Sequence, residues 1–187
     1  MYNKPTQIER KKMTKLTIYE VPEPVLRQRA EPVAYVDASI ARTLADMLET
    51  MYAGHGVGLA GNQVGILKRL IVVDCSGQDE DPNPIKLVNP KIIAHSEDKI
   101  CHNEGCLSIP REYADVDRYE SVTVAYQDET GATKTIEADG LLAIALQHEI
   151  DHLDGVLFID YLSKLKRDKL LRHLEKKRRQ QQEEGES

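Results

Sequence analysis

The chain has no tryptophan, one phenylalanine, and aromatic residues at only 5% of its 187 positions, so its core must be built mainly from aliphatic side chains. Nowhere do about 18 apolar residues run together, which excludes an ordinary membrane-crossing helix. The N-terminal "MYNKPTQIERKKMTKLTIYE" is basic but has no apolar run behind it, so it does not read as a secretory signal. The expected compartment is the cytoplasm, with no membrane partner. Cysteine is scarce and odd in number: Cys75, Cys101 and Cys106. An odd count without an export signal argues against a disulfide framework and for reduced thiols. No internal repeat and no strong linker divides the chain, and this length suits one folded domain.

Charge is unevenly spread. Lys164 to Arg179 holds nine Lys or Arg against two acids, a local +7 in a chain of formal charge −6. An acidic body thus carries a basic C-terminal segment. Most exposed basic helices are only solvated faces, but such a segment suits a polyanion such as RNA.

Residues 1–14 are polar and read as a loose arm, 15–162 as the folded body, and 163–187 as a basic helix ending in a frayed tail. From Asp37 to Tyr52, Ile40, Leu44, Met47, Leu48 and Met51 recur at helical intervals, and Gly54 stops the run. "RLIVVD" (69–74) is a short β-branched strand, and "IKLVNPKIIAH" (85–95) reads as strand interrupted by Pro90. "SVTVAYQ" and "TKTIEA" flank "DETG" as a hairpin. Asp139 is placed to cap a strongly apolar helix through Leu153, and Ser163 to cap a last helix with a stripe of Leu170, Leu171 and Leu174.

Within the apolar helix stands "LQHEIDHLDG" (146–155). His148 and His152, four apart, share one face and can aim their rings at one ion. Glu149 lies roughly 100° round the helix, off the ligand axis and suited to a water beside the ion. Burying His148, Glu149, Asp151 and His152 together costs several kcal/mol unless each finds a partner, and a metal supplies one. "NEGCLSIP" (103–110) offers a third ligand in Cys106, preceded by Gly105 where the backbone can turn sharply. Two histidines and a cysteine leave a fourth tetrahedral position open. Asp151 suits a supporting contact or salt bridge better than ligation. The glycine-rich "GHGVGLAGNQVG" (54–65) lacks the lysine of a phosphate-binding loop and offers instead close backbone approach and the amide of Gln63.

Two other readings of these residues remain. A zinc endopeptidase would share the His-Glu-x-x-His helix and draw a third ligand from Glu175. A closed structural zinc site would use Cys101, Cys106, His148 and His152.

"GVGLAGNQ" (56–63), "EGCLS" (104–108) and "QHEIDH" (147–152), in this order, resemble the three signature motifs of peptide deformylases, and the similarity extends over about residues 15 to 175. Gly61 departs from the family's Gly-Leu-Ala-Ala, a lost methyl expected to loosen that turn. The resemblance implies an α+β fold, with antiparallel or mixed β-sheets packed around a central metal-binding helix and with N- and C-terminal helices. It implies a catalytic domain over 15–162 that removes the formyl group from the initiator methionine of new proteins. Cys106, His148 and His152 would hold one divalent ion, Fe(II) physiologically, with zinc, nickel or cobalt able to substitute. Glu149 would be the general base, with the Gln63 amide and the Leu107 N–H as oxyanion donors. Val57 and Gly58 would lend backbone groups to the peptide, while Ile144, Ala145, Glu104 and Gly105 would shape the substrate pocket. By the same resemblance the basic C-terminal helix would meet the ribosome, with no sequence-specific nucleic-acid recognition.

Overall fold

The computed structural model describes residues 14–77 and 79–185. The loose arm expected over 1–14 lies, except for Thr14, outside them. Helix α1 (Ala38–Ala53) begins at Asp37, whose carboxylate accepts from the Ser39 and Ile40 N–H groups, and ends at Gly54. It buries Ile40, Leu44, Met47 and Met51, while Leu48 is half-buried.

Five strands form an antiparallel sheet in the order β1-β2-β3-β6-β7: β1 (Gly58–Ala60), β2 (Leu70–Val73), β3 (Ile85–His95), β6 (Ser121–Gln127) and β7 (Thr133–Asp139). The expected hairpin is β6–β7, in register from Ser121↔Asp139 to Gln127↔Thr133. All four residues of β2 are buried because the sheet is covered on both faces. Leu70 and Val72 pack with α1, whereas Ile71 and Val73 pack with helix α2 (Gly140–Leu153), following the two-residue alternation of a strand. Strand β3 passes through Pro90 without ending. Asn89 takes a left-handed φ of 53°, the register shifts between Val88 and Lys91, and the Asn89 amide bonds both N–H and C=O of Val33. The proline sits in a bulge, where a missing N–H breaks no ladder bond.

Strands β4 (Lys99–Cys106) and β5 (Ile109–Tyr119) make a separate hairpin that the sequence reading did not assign as strands. The physical reason is the character of the inward positions. Two of them are Glu104 and Arg118, a buried ion pair standing where an apolar alternation would have signalled a strand.

Asp139 does occupy the N-cap position of α2, but its side chain makes no capping bond, and Gly140 at φ 52° turns β7 into the helix. Helix α3 (Lys164–Gly185) runs well into the stretch expected to fray. Leu170 and Leu174 are buried against Leu26, Ile109, Phe158 and Ile159, so α3 is packed onto the body. No helix among the described residues is long and apolar enough to cross a membrane.

Candidate active site and metal centre

Three elements meet at one pocket of about 450 Å³: the glycine-rich turn with β1, the tip of the β4–β5 hairpin, and α2. Its lining includes Val57, Gly58, Gln63, Glu104, Gly105, Cys106, Leu107, Ile144, Ala145, His148 and Glu149, so eleven of the twelve residues expected from sequence face one cavity. His152 lies behind them, buried.

Possible ligand atoms of Cys106, His148 and His152 all lie within 4.8 Å of one another. Cys106 Sγ is 3.2 Å from His152 Nε2, a separation that suits two donors on a single ion. A soft thiolate with two imidazoles is a donor set for a divalent transition ion. The residues therefore fit a metal. Cys101 is exposed on β4 and Glu175 is paired with Arg179 on α3, so neither joins the cluster. The closed structural site and the Glu175 arrangement both lack their fourth or third ligand.

The histidines are held differently. Glu104 Oε2 lies 2.7 Å from His148 Nδ1, which places the proton on that nitrogen and leaves Nε2 as the donor atom. Burial pulls the His148 pKa down, but its hydrogen bonds with Cys106 and Glu104 outweigh it and hold it well above the usual value, so an ion binding at Nε2 would displace a proton there. His152 is pushed well below the usual value by burial and by the neighbouring His148 charge, so it is neutral and ready to ligate before any ion arrives. Its Nδ1 has no hydrogen-bond partner among the described residues.

Glu104 also takes a two-pronged bond from Arg118, at 2.6 Å from Nε and 3.0 Å from Nη2. Arg118 Nη1 reaches Asp151 Oδ2 at 2.6 Å, and the Tyr161 hydroxyl donates to that same oxygen at 2.8 Å. Asp151 is thus a salt-bridge partner. Burial raises the Glu104 pKa, but its bonds to His148 and Arg118 prevail and bring it to about 2. Glu104 touches the pocket wall, and its carboxylate serves to orient His148. Arg118 was missed from sequence because nothing in "YADVDRYE" marks one arginine as inward-facing.

Glu149 is 4% exposed, and burial pushes its pKa up to about 7. Its Oε2 is buried without a partner among the described residues. The Gln63 side chain accepts the Ala60 N–H at 2.8 Å through Oε1, which turns Nε2 toward Ser108 Oγ (3.3 Å) and Cys106 Sγ (3.5 Å). Leu107 follows Cys106 in the tight turn between β4 and β5. The Val57 carbonyl is taken by the Asp74 N–H at 2.9 Å. By the alternation of an antiparallel ladder, the N–H and C=O of Gly58 then face the open edge of β1.

Gly61 does not loosen its turn. A β-carbon there would lie 2.5 Å from the Ile66 carbonyl oxygen and 2.7 Å from that of Lys68, so the missing methyl lets two backbone segments close up. Leu141, one helical turn before Ile144 and Ala145, also lines the pocket. Helical spacing from His148 was the signal that could have found it.

A helix-borne His-Glu-x-x-His set completed by a cysteine from a β-hairpin defines a metal-dependent hydrolase of α+β fold. The family model described as Polypeptide deformylase matches residues 15–168, and the chain belongs to that family. A peptide deformylase of Rhizobium meliloti (strain 1021) is 51% identical over 164 residues, covering 88% of this chain and 94% of that one. The crystal structure of peptide deformylase from Ehrlichia chaffeensis matches with a TM-score of 0.86 at 41% identity, covering 90% of this chain and 99% of that one. The Ehrlichia chaffeensis enzyme in complex with actinonin matches at 0.84 and 42% identity, over 88% and 98%. Like its family, the chain is a hydrolase that removes the N-formyl group from newly synthesised proteins.

Proposed function

We propose that deformylation here uses Glu149 as general base, with Cys106, His148 and His152 holding one divalent cation. When bound, that cation would polarise the formyl carbonyl and make hydroxide accessible near neutral pH. Fe(II) is the physiological ion in this reading, with zinc, nickel or cobalt as substitutes.

Glu149 takes the proton of the attacking water on its unpartnered oxygen. The water oxygen joins the formyl carbon, the C–N bond breaks, formate leaves, and Glu149 returns the proton to the departing methionine amine. A carboxyl held near 7 can serve in both directions at neutral pH. The Gln63 amide and the Leu107 N–H donate to the oxyanion of the tetrahedral intermediate, and each such donor is typically worth about 3 to 4 kcal/mol. Ile144 and Ala145, with Leu141, provide the apolar wall for the methionine side chain. Gly58 on the open edge of β1 and Gly105 on β4 offer backbone groups to the peptide, a mode that accepts many side chains at the next positions. The enzyme works in the cytoplasm, and α3 holds it near the ribosome.

The observation that carries this reading is the burial of Glu149 in the same pocket as the three-donor cluster. The test is formate release from a formyl-methionyl peptide by iron-loaded protein purified without oxygen, with Glu149→Ala alongside. Release that collapses in the variant while the metal stays bound is the expected result. Undiminished release in the variant would remove Glu149 from the mechanism.

A further inference from the structure

A second depression, about 540 Å³, lies between the β4–β5 hairpin and α3. Asn103, Glu112 and Tyr113 line both it and the active-site pocket, so the two are continuous across β5. The Tyr113 ring, 65% exposed, lies against Gly105 at this divide; a β-carbon on Gly105 would come within 2.5 Å of it. Beyond Tyr113 the floor is apolar, with Ala114, Leu162 and Leu170, and the rim carries Lys166 and Lys169.

Of the two acids in the groove, Glu112 has cationic partners and Asp115 only a neutral one. Glu112 is bonded by His173 Nδ1 (2.8 Å) and Lys177 Nζ (2.9 Å), and Asp115 accepts from Asn103 (2.8 Å). Lys166 and Lys169 are bonded to neither carboxylate, and their two positive charges outweigh the one left on Asp115. A pocket of about 450 Å³ holds only the first residues of a polypeptide, and the rest must leave over the surface.

We propose that the chain leaves across Tyr113, and that the groove between β5 and α3 is a subsite for the following stretch of the nascent polypeptide, favouring acidic side chains. The inference rests on the deformylase reading of the active site. Apolar cover alone would make the groove indifferent to sequence; the two lysines give it a sign preference, which acts mainly through encounter and register.

The test uses three formyl-methionyl substrates with the same first three residues: the tripeptide, a decamer acidic beyond them, and a decamer basic beyond them. Wild type is expected to show a higher kcat/KM for the acidic decamer than for the basic one, by roughly five-fold or more at low salt. Lys166→Glu/Lys169→Glu should abolish or invert that preference and leave the tripeptide unchanged. Lys164→Glu/Lys176→Glu, exposed on the same helix but outside the groove, should retain it. Equal turnover of the two decamers by wild type, or the same loss in both variants, would overturn the groove as a subsite. Failure of wild type on the tripeptide would instead overturn the deformylase reading beneath it.

Discussion

Gly58 of β1 lies directly against the carboxylate of Glu149: a β-carbon on that glycine would be 2.9 Å from both Cγ and Cδ of Glu149, and nearer still to Oε1. Strand β1 can come this close to the Glu149 carboxylate only because position 58 has no side chain. Gly58→Ala should displace the base while leaving the metal ligands in place. Loss of about 10²-fold in kcat with full metal content is expected, the scale at which a small misplacement acts. Unchanged kcat would mean that the position of the carboxylate is not critical.

Cys106→Ser removes the soft donor from the cluster. Metal affinity should fall by more than the ~10 to 100-fold typical of a supporting residue, read by metal content after dialysis against a competing chelator. A variant that kept its ion would speak for a peptidase-like arrangement independent of the cysteine.

Arg118 tests the support behind His148. Arg118→Leu strands the buried Glu104 carboxylate, and breaking one partner of such a pair typically costs about 3 to 5 kcal/mol. Denaturant unfolding reads this directly. Adding Glu104→Gln should recover much of the stability, since the unpaired charge is gone, while metal affinity stays low because His148 has lost its carboxylate. Full recovery of both would show that Glu104 does not orient the ligand.

If Glu149 is the general base proposed above, it sets the pH profile. A base works when deprotonated, so activity should be present above its pKa and decline as pH falls through it. Burial, chiefly, puts that pKa at about 7 against the lowering charges of His148 and Arg118, and a cation placed beside the carboxylate would draw it down. The acid limb of kcat/KM should lie at or below about 7 and disappear in the residual activity of Glu149→Gln. A limb well above 7 would point to another group.

Ribosome association should be tested by charge and not by truncation. Leu170 and Leu174 are buried, and each buried leucine contributes about 1.5 to 3 kcal/mol, so a chain ending at Leu162 would lose stability along with the basic face. Neutralising exposed Lys164, Arg172 and Lys176 to glutamine keeps the packing. Weaker co-sedimentation with ribosomes is expected, and co-sedimentation equal to wild type would count against docking through α3.

Local chemistry made much of this protein legible in its sequence. The repeat of Ile40, Leu44, Met47 and Met51 specifies α1, the β-branched run at 70–73 specifies β2, and His148, Glu149 and His152 fall on neighbouring faces of α2 simply because a helix turns 100° per residue. Those signals are short-range and survive without a partner. The tertiary structure decided the rest. Only the packing of the β4–β5 hairpin against α2 brings Cys106 to His152 and Glu104 to His148, 44 to 46 residues apart in the chain. The same packing makes Arg118 a buried counter-charge, and the packing of β1 on α2 holds Gly58 against Glu149. An ion pair facing inward has no periodic signature, and a contact between distant segments has none either, so both become visible only when the sheet, hairpin and helix close on one another.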